Sequence, residues 1–196
     1  MRTYGLLVLL LVAAQGCSPE AVGPTGLQVF PTQLYTGVDD GGGHYVVPVA
    51  ARGETGLMWN TADTSRIMIM GTDNGAMVTA LRAGHAQIEV DANASSSVSV
   101  SISVQSYTAA QRAAGEEAVG RIGCQRTYCH DANGPDFTPS GIGRYADLDL
   151  QAWILYGKSL RNGTTVQFHM WPLTLTEQMG IVAYLRSQAP RGMPAF

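Results

Sequence analysis

The sequence predicts a multidomain chain in which an N-terminal all-β sandwich is followed by an all-α domain. Two observations carry that prediction. Up to about residue 105 the chain is rich in Val, Thr, Ser and Gly and alternates apolar with polar residues, the period of half-buried strands. Beyond residue 106, Ala, Glu, Arg and Leu recur at helical spacing. A third observation sets what comes first: a short apolar run behind a single positive charge. The resulting division is 1–16 for the leader, 17–25 for a linker, 26–105 for the sandwich, 106–190 for the helical domain and 191–196 for a tail.

In the leader, Arg2 is followed by nine apolar residues from Leu6 to Ala14, and then by Gln15-Gly16-Cys17-Ser18. Nine falls well short of the ~20 needed to cross a bilayer as a helix and matches the core of a signal peptide. Ala14-Gln15-Gly16-Cys17 resembles the lipobox of a bacterial lipoprotein signal, with Gln15 an atypical member. The resemblance implies that Cys17 becomes a lipidated first residue, its acyl chains contributing ~0.8 kcal/mol per buried methylene. Ser18 after the cysteine resembles the sorting pattern of Gram-negative outer-membrane lipoproteins. It implies an exported protein tethered to the outer membrane, facing the periplasm or the cell surface. An ordinary secretory signal cleaved near Ala14 would leave Cys17 free and export the chain all the same.

Composition narrows the partners. The net charge is −3 with no basic block to neutralise phosphates, which argues against a nucleic-acid partner. The three cysteines are few for a disulfide scaffold and divide as one for lipid and two elsewhere.

The clearest strand is Ser97 to Val104, in which every even position is apolar and every odd one is serine. One face is buried and the other wet, as in an antiparallel sheet with one solvated side. Similar alternation marks Tyr45–Ala50, Met77–Leu81 and Ala86–Val90. Turn residues at Asp40-Gly41-Gly42-Gly43, Asp73-Asn74-Gly75 and Ala83-Gly84-His85 separate these strands. The succession Met58-Trp59-Asn60, Asn74-Gly75-Ala76-Met77-Val78 and Ala83-Gly84-His85-Ala86-Gln87-Ile88 resembles the bacterial immunoglobulin-like group 2 domain over residues 26–105. Trp59 is expected between the sheets. His44 and His85 sit beside glycines with no partner at metal-ligand spacing and read as solvated, so this half is expected to be a spacer or adhesion module.

Chemistry enters at Cys124-Gln-Arg-Thr-Tyr-Cys129-His130. Two thiols can each add across a vinyl group of haem, and a histidine directly after the second thioether is delivered to the iron as its proximal ligand. The usual spacing puts two residues between the cysteines, and here there are four. A longer loop can bulge outward while both sulfurs still reach, and four-residue spacers occur in some multihaem cytochromes c. In an oxidising compartment the same pair could instead close a disulfide, leaving His130 a surface residue.

The residues around this motif resemble a class I cytochrome c. A helix is expected from Tyr107 to Ile122, capped by Thr108 and running into Cys124, with Gly115-Glu116-Glu117-Ala118-Val119 similar to the family's pattern ahead of the first cysteine. A second helix, Asp147–Tyr156, is closed by Gly157, and its Trp153 and Ile154 are candidates to wall a haem. The ending His169-Met170-Trp171-Pro172, then Leu173-Thr174-Leu175-Thr176-Glu177 and Ala183-Tyr184-Leu185-Arg186-Ser187, resembles the family's distal loop and final helix, with Thr174 or Thr176 as cap.

The resemblance implies one covalent haem c. Met170 would be the distal ligand, and the carbonyl of Pro135, in Gly134-Pro135-Asp136-Phe137, would orient His130. His169 is the rival to Met170. Met193 imitates the motif but follows the final helix, and Met179 is expected in the core.

An iron held by His130 and Met170 has no open position, so the expected protein is a carrier and not an enzyme. It would pass single electrons between exported redox proteins serving as donor and acceptor, while tethered to the membrane by its lipid. The alternative is an adhesion or scaffolding lipoprotein whose C-terminal part is structural and holds a disulfide.

Overall fold

The computed structural model describes residues 21–22, 26–93, 96–123, 136–157 and 171–196. Two sheets carry most of it. The first is built from β1 (Ala21–Val22), β2 (Gln28–Phe30), β4 (Val46–Arg52), β6 (Ile67–Thr72) and β7 (Gly75–Ala80), in the order β1-β2-β4-β7-β6, all antiparallel. The second is built from β3 (Gln33–Asp39), β5 (Met58–Asn60), β8 (Gly84–Asn93) and β9 (Ser96–Tyr107), in the order β3-β9-β8-β5. In it β3 runs parallel to β9 and the other pairs are antiparallel.

The predicted alternation decides which way each strand faces. Along β9, Val98, Val100, Ile102 and Val104 are buried, while Ser97, Ser99 and Ser101 are exposed. The buried row meets Ile88 and Val90 of β8 and, from the other sheet, Val29, Val47, Val49, Val78 and Ala80, so the sheets share one apolar core. Burying a Val or Ile side chain contributes roughly 1.5–3 kcal/mol, which makes this core the main source of stability. Trp59 packs between the sheets, as expected, but at their edge strands rather than deep in the core. It is half-buried at the margin, where its indole N–H donates to the Thr72 carbonyl at 3.1 Å and its ring covers Gly71.

Four helices follow among the described residues: α1 (Ala109–Ile122), α2 (Pro139–Ile142), α3 (Asp147–Tyr156) and α4 (Leu175–Arg186). Capping fixes their ends. Thr108 accepts from the Gln111 N–H while the Gln111 side chain returns to the Thr108 N–H, and Thr174 and Glu177 form the same reciprocal pair at the start of α4. Gly123 and Gly157 adopt the left-handed conformation, at φ 71° and 60°, that ends α1 and α3.

The expected all-β sandwich followed by an all-α cytochrome c domain is corrected by this arrangement. Among the described residues the protein is mostly β, with two sheets and a few short helices; helix makes up 28% of them, and they show no all-α cytochrome c domain. The helices share an apolar cluster of Ala118, Val119, Leu150, Ile154, Ile181 and Val182, but they are also bonded to the sheets. The Tyr35 N–H of β3 donates to the Gly143 carbonyl after α2 at 2.7 Å, and Tyr45, Tyr107 and Ala183 form a small core between sandwich and helix. Helical spacing shows that a segment is helical and that one face is apolar. It does not show whether that face is buried against other helices or against a sheet.

Candidate functional site

The predicted ligands belong to two stretches that leave and rejoin the described structure at helix ends. Helix α1 stops at Gly123, whose N–H donates to the Val119 carbonyl at 3.1 Å, one residue before Cys124. Helix α3 stops at Gly157, bonded in the same way to Trp153 at 2.9 Å. The chain is described again from Asp136 and from Trp171. Cys124, Cys129, His130, Pro135, His169 and Met170 all lie outside the described residues, as does Cys17.

What the described residues show is a partly aromatic surface on the helical cluster. Ile122, Phe137, Trp153, Trp171 and Leu173 are half-buried and packed against the helical cluster. Phe137 and Trp153 are tilted against each other with ring centroids 4.7 Å apart, and Tyr145 meets Trp153 edge-on at 6.3 Å. Such aromatic pairs contribute roughly 0.5–1.5 kcal/mol beyond their burial and hold the rings in fixed orientations. A half-buried aromatic surface suits a large planar apolar group such as haem. The two thiols, the imidazole and the thioether in the adjoining sequence are donor types that hold one.

Helices α1 and α4 hold this surface together. They cross with backbone against backbone: a methyl group on Gly115 would strike the Gly180 carbonyl, and one on Gly180 would strike the Gln111 carbonyl. Near the same crossing Arg121 Nη2 meets Glu177 Oε1 at 2.6 Å. The Thr174 backbone N–H first, then the Thr174 hydroxyl and Arg121, hold the Glu177 carboxyl below its ordinary range. Arg121 in the last turn of α1 and Glu177 in the first turn of α4 each also face the helix end that favours their charge.

Other predicted positions resolve differently. Ile154 is buried within the helical cluster, so of the two residues expected to wall a haem only Trp153 reaches the half-buried surface. Met179 is not core: it is 41% exposed on α4. Met193 lies on the sandwich side, its sulfur beside Gly75. His44 and His85 are exposed, with Nδ1 atoms 2.9 Å from the Ala80 carbonyl and 3.2 Å from Ser103 Oγ. Among the described residues there is no cluster of three or more His, Cys, Asp or Glu able to hold a metal ion, and no helix is long and apolar enough to cross a membrane.

Arg186 is buried in a way that its place in the final-helix motif does not anticipate. It reads as a basic residue in the last turn of a helix, yet it is 2% exposed. It donates to Asp147 Oδ1 at 2.9 Å, to the Tyr35 carbonyl at 2.7 Å and to the Tyr145 carbonyl at 2.7 Å. Tyr107 completes the junction, its hydroxyl donating to Asp147 Oδ2 at 2.7 Å. Burial first, and the Asp147 charge after it, push the Tyr107 hydroxyl well above its ordinary range, so it stays protonated and remains a donor.

The chain matches no protein-family model, and no curated protein matches it.

Proposed function

We propose that the chain is a membrane-tethered c-type electron carrier holding one haem. The observation that carries this is the Cys124, Cys129, His130 motif, whose first residue follows the Gly123 cap of α1 in the chain; the helical cluster that α1 belongs to carries half-buried aromatic side chains. Haem would be attached through Cys124 and Cys129, with His130 as proximal and Met170 as distal ligand and the Pro135 carbonyl orienting the imidazole. Bound haem supplies a one-electron couple. The chain's own residues would fix its orientation, exclude water with aromatic side chains, and leave no coordination position for a substrate. Donor and acceptor would be other exported redox proteins. The proposal attaches to the motif and brings no all-α fold with it.

The Leu6–Ala14 run leading to Gly16-Cys17 supports a lipid anchor at Cys17 and export to the outer membrane. Replacing Cys17 with Ser should then move the protein from the membrane fraction to the soluble exported fraction. Continued membrane association would assign the anchoring to another segment.

The deciding experiment is expression with a cytochrome c maturation system, followed by intact-mass and optical measurement of the denatured protein. One added haem mass, with the absorbance of a thioether-linked haem, is expected. A mass lower by only two hydrogens would assign Cys124 and Cys129 to a disulfide and leave the adhesion or scaffolding lipoprotein as the reading.

A further inference from the structure

A cleft of about 390 Å³ lies where the outer side of the first sheet, helix α2 with its following turn, and the C-terminal tail come together. That is within the size range of small-molecule sites, which favour junctions of this kind. Its apolar walls include Phe30, Pro31, Pro48, Tyr145, Trp153 and Pro194. Prolines and ring systems lose little conformational entropy on binding, so these walls are largely preformed.

The tail side is latched. Ser140 Oγ accepts from the Arg191 N–H at 2.9 Å and donates to the Gly192 carbonyl at 2.7 Å. Beyond it, the Phe196 ring meets Phe30 at 5.9 Å, under the Arg52 guanidinium at 4.0 Å.

Two cations line this space, Arg144 and Arg191, and neither forms an ion pair among the described residues. The Arg144 guanidinium sits 4.8 Å from the Tyr145 ring centre and 5.4 Å from that of Phe30, which ties it to the aromatic wall. The one carboxylate in the lining, that of Asp136, accepts at Oδ1 from both the N–H and the hydroxyl of Thr138, at 2.9 and 2.7 Å. The lining therefore combines rigid ring surface with an excess of positive charge. A neutral aromatic would leave both guanidinium groups without a counter-charge, and a small aliphatic anion would leave the ring surfaces wet.

We propose that this cleft binds an anionic aromatic small molecule, its ring against Pro48 and Trp153 and its carboxylate or sulfonate on Arg144 and Arg191. The cleft shares Trp153 and Tyr145 with the aromatic surface of the helical cluster, but it takes its charge from Arg144 and Arg191 and does not rest on the haem proposal.

The test is calorimetric titration of the full chain with naphthalene-2-sulfonate, with 2-naphthol as the uncharged ring and methanesulfonate as the ringless anion. One-site binding of the naphthalene sulfonate is expected, with both partial ligands weaker. Each of Arg144→Gln and Arg191→Gln should weaken the sulfonate by about tenfold, the scale of one charge-assisted hydrogen bond, and leave 2-naphthol unchanged. Arg52→Gln, outside the lining, should bind like the parent. Both cleft arginines are exposed, so the variants should keep the parent's melting temperature. Absence of heat at millimolar sulfonate, or equal affinity in parent and double variant, would overturn the proposal.

Discussion

Arg186 and Asp147 are joined at the seam between helices and sandwich: Nε and Nη2 lie 2.9 and 2.8 Å from the same carboxylate oxygen. The arginine side chain is 2% exposed and the aspartate 24%. Two further guanidinium N–H groups donate to carbonyls of β3 and of the turn before α3, so four of the five hydrogens of the buried cation are partnered by protein.

Arg186→Ala removes all of these donors at once and leaves two buried carbonyls and a carboxylate without them. It should destabilise the protein by about 3–5 kcal/mol in urea denaturation. Because the bonds span both parts, sheet and helix signals should unfold in one transition in the parent. Asp147→Asn, which keeps an acceptor, should cost less.

The crossing of α1 and α4 sets a second expectation. Gly115→Ala and Gly180→Ala each force a methyl group against backbone and should lower stability by about 1–3 kcal/mol. Gly120, in the same helix, has nothing within 4 Å of an added methyl. Gly120→Ala should stabilise by about 0.5–1 kcal/mol through helix propensity. Melting curves of the three variants separate packing from propensity.

Asp39 ties part of the stability to pH. Burial alone would raise its carboxyl, but the Gly43 N–H, the Tyr45 hydroxyl, Arg112 and the Gly41 N–H together bring it below the ordinary 3.8. A folded value below the unfolded one means that its contribution is complete above about pH 4 and fades as pH falls through the folded value. The acid limb of a stability-pH curve should therefore flatten in Asp39→Asn, which should also be less stable than the parent at pH 7.

For the haem proposal, the distal ligand gives the sharpest reading. The oxidised protein should show the weak far-red sulfur-to-iron charge-transfer band. Met170→Ala should abolish the band with the haem still attached, and should lower the reduction potential, since ferrous iron loses a soft ligand. Met193→Ala should leave the band intact, as that sulfur lies against Gly75 on the sandwich. A band that survives Met170→Ala transfers the role to another methionine. Its absence from the parent points to His169 or to an open position.

Local features were legible in the sequence to the degree that their causes are local. The serine alternation of β9 gives its two faces, and the caps at Thr108, Gly157 and Thr174 give the helix ends. Pairing was not legible: β3 was not singled out as a strand, and nothing local says that its neighbour is the distant β9 or that they run parallel. Strand β6, Ile67-Met68-Ile69-Met70, lacks polar alternation and gave no strand signal, although Met68 and Met70 are exposed. Met179 failed for the opposite reason, an apolar side chain that helical spacing alone could not assign to a face. The candidate site was readable only as a motif with its flanking helices, because a ligand set is a matter of residue type and spacing, whereas its geometry is set by distant contacts.

Strand β9 passes into α1 with a single residue, Thr108, between Tyr107 and Ala109, and that residue is itself the helix cap. There is no slack at this joint and hence no pivot. A body hung from a lipid at Cys17 would turn as one piece, and a redox partner approaching the helices would meet an attitude dictated by the sandwich. The sandwich would then act as the arm that sets both the reach and the heading of whatever the helices carry.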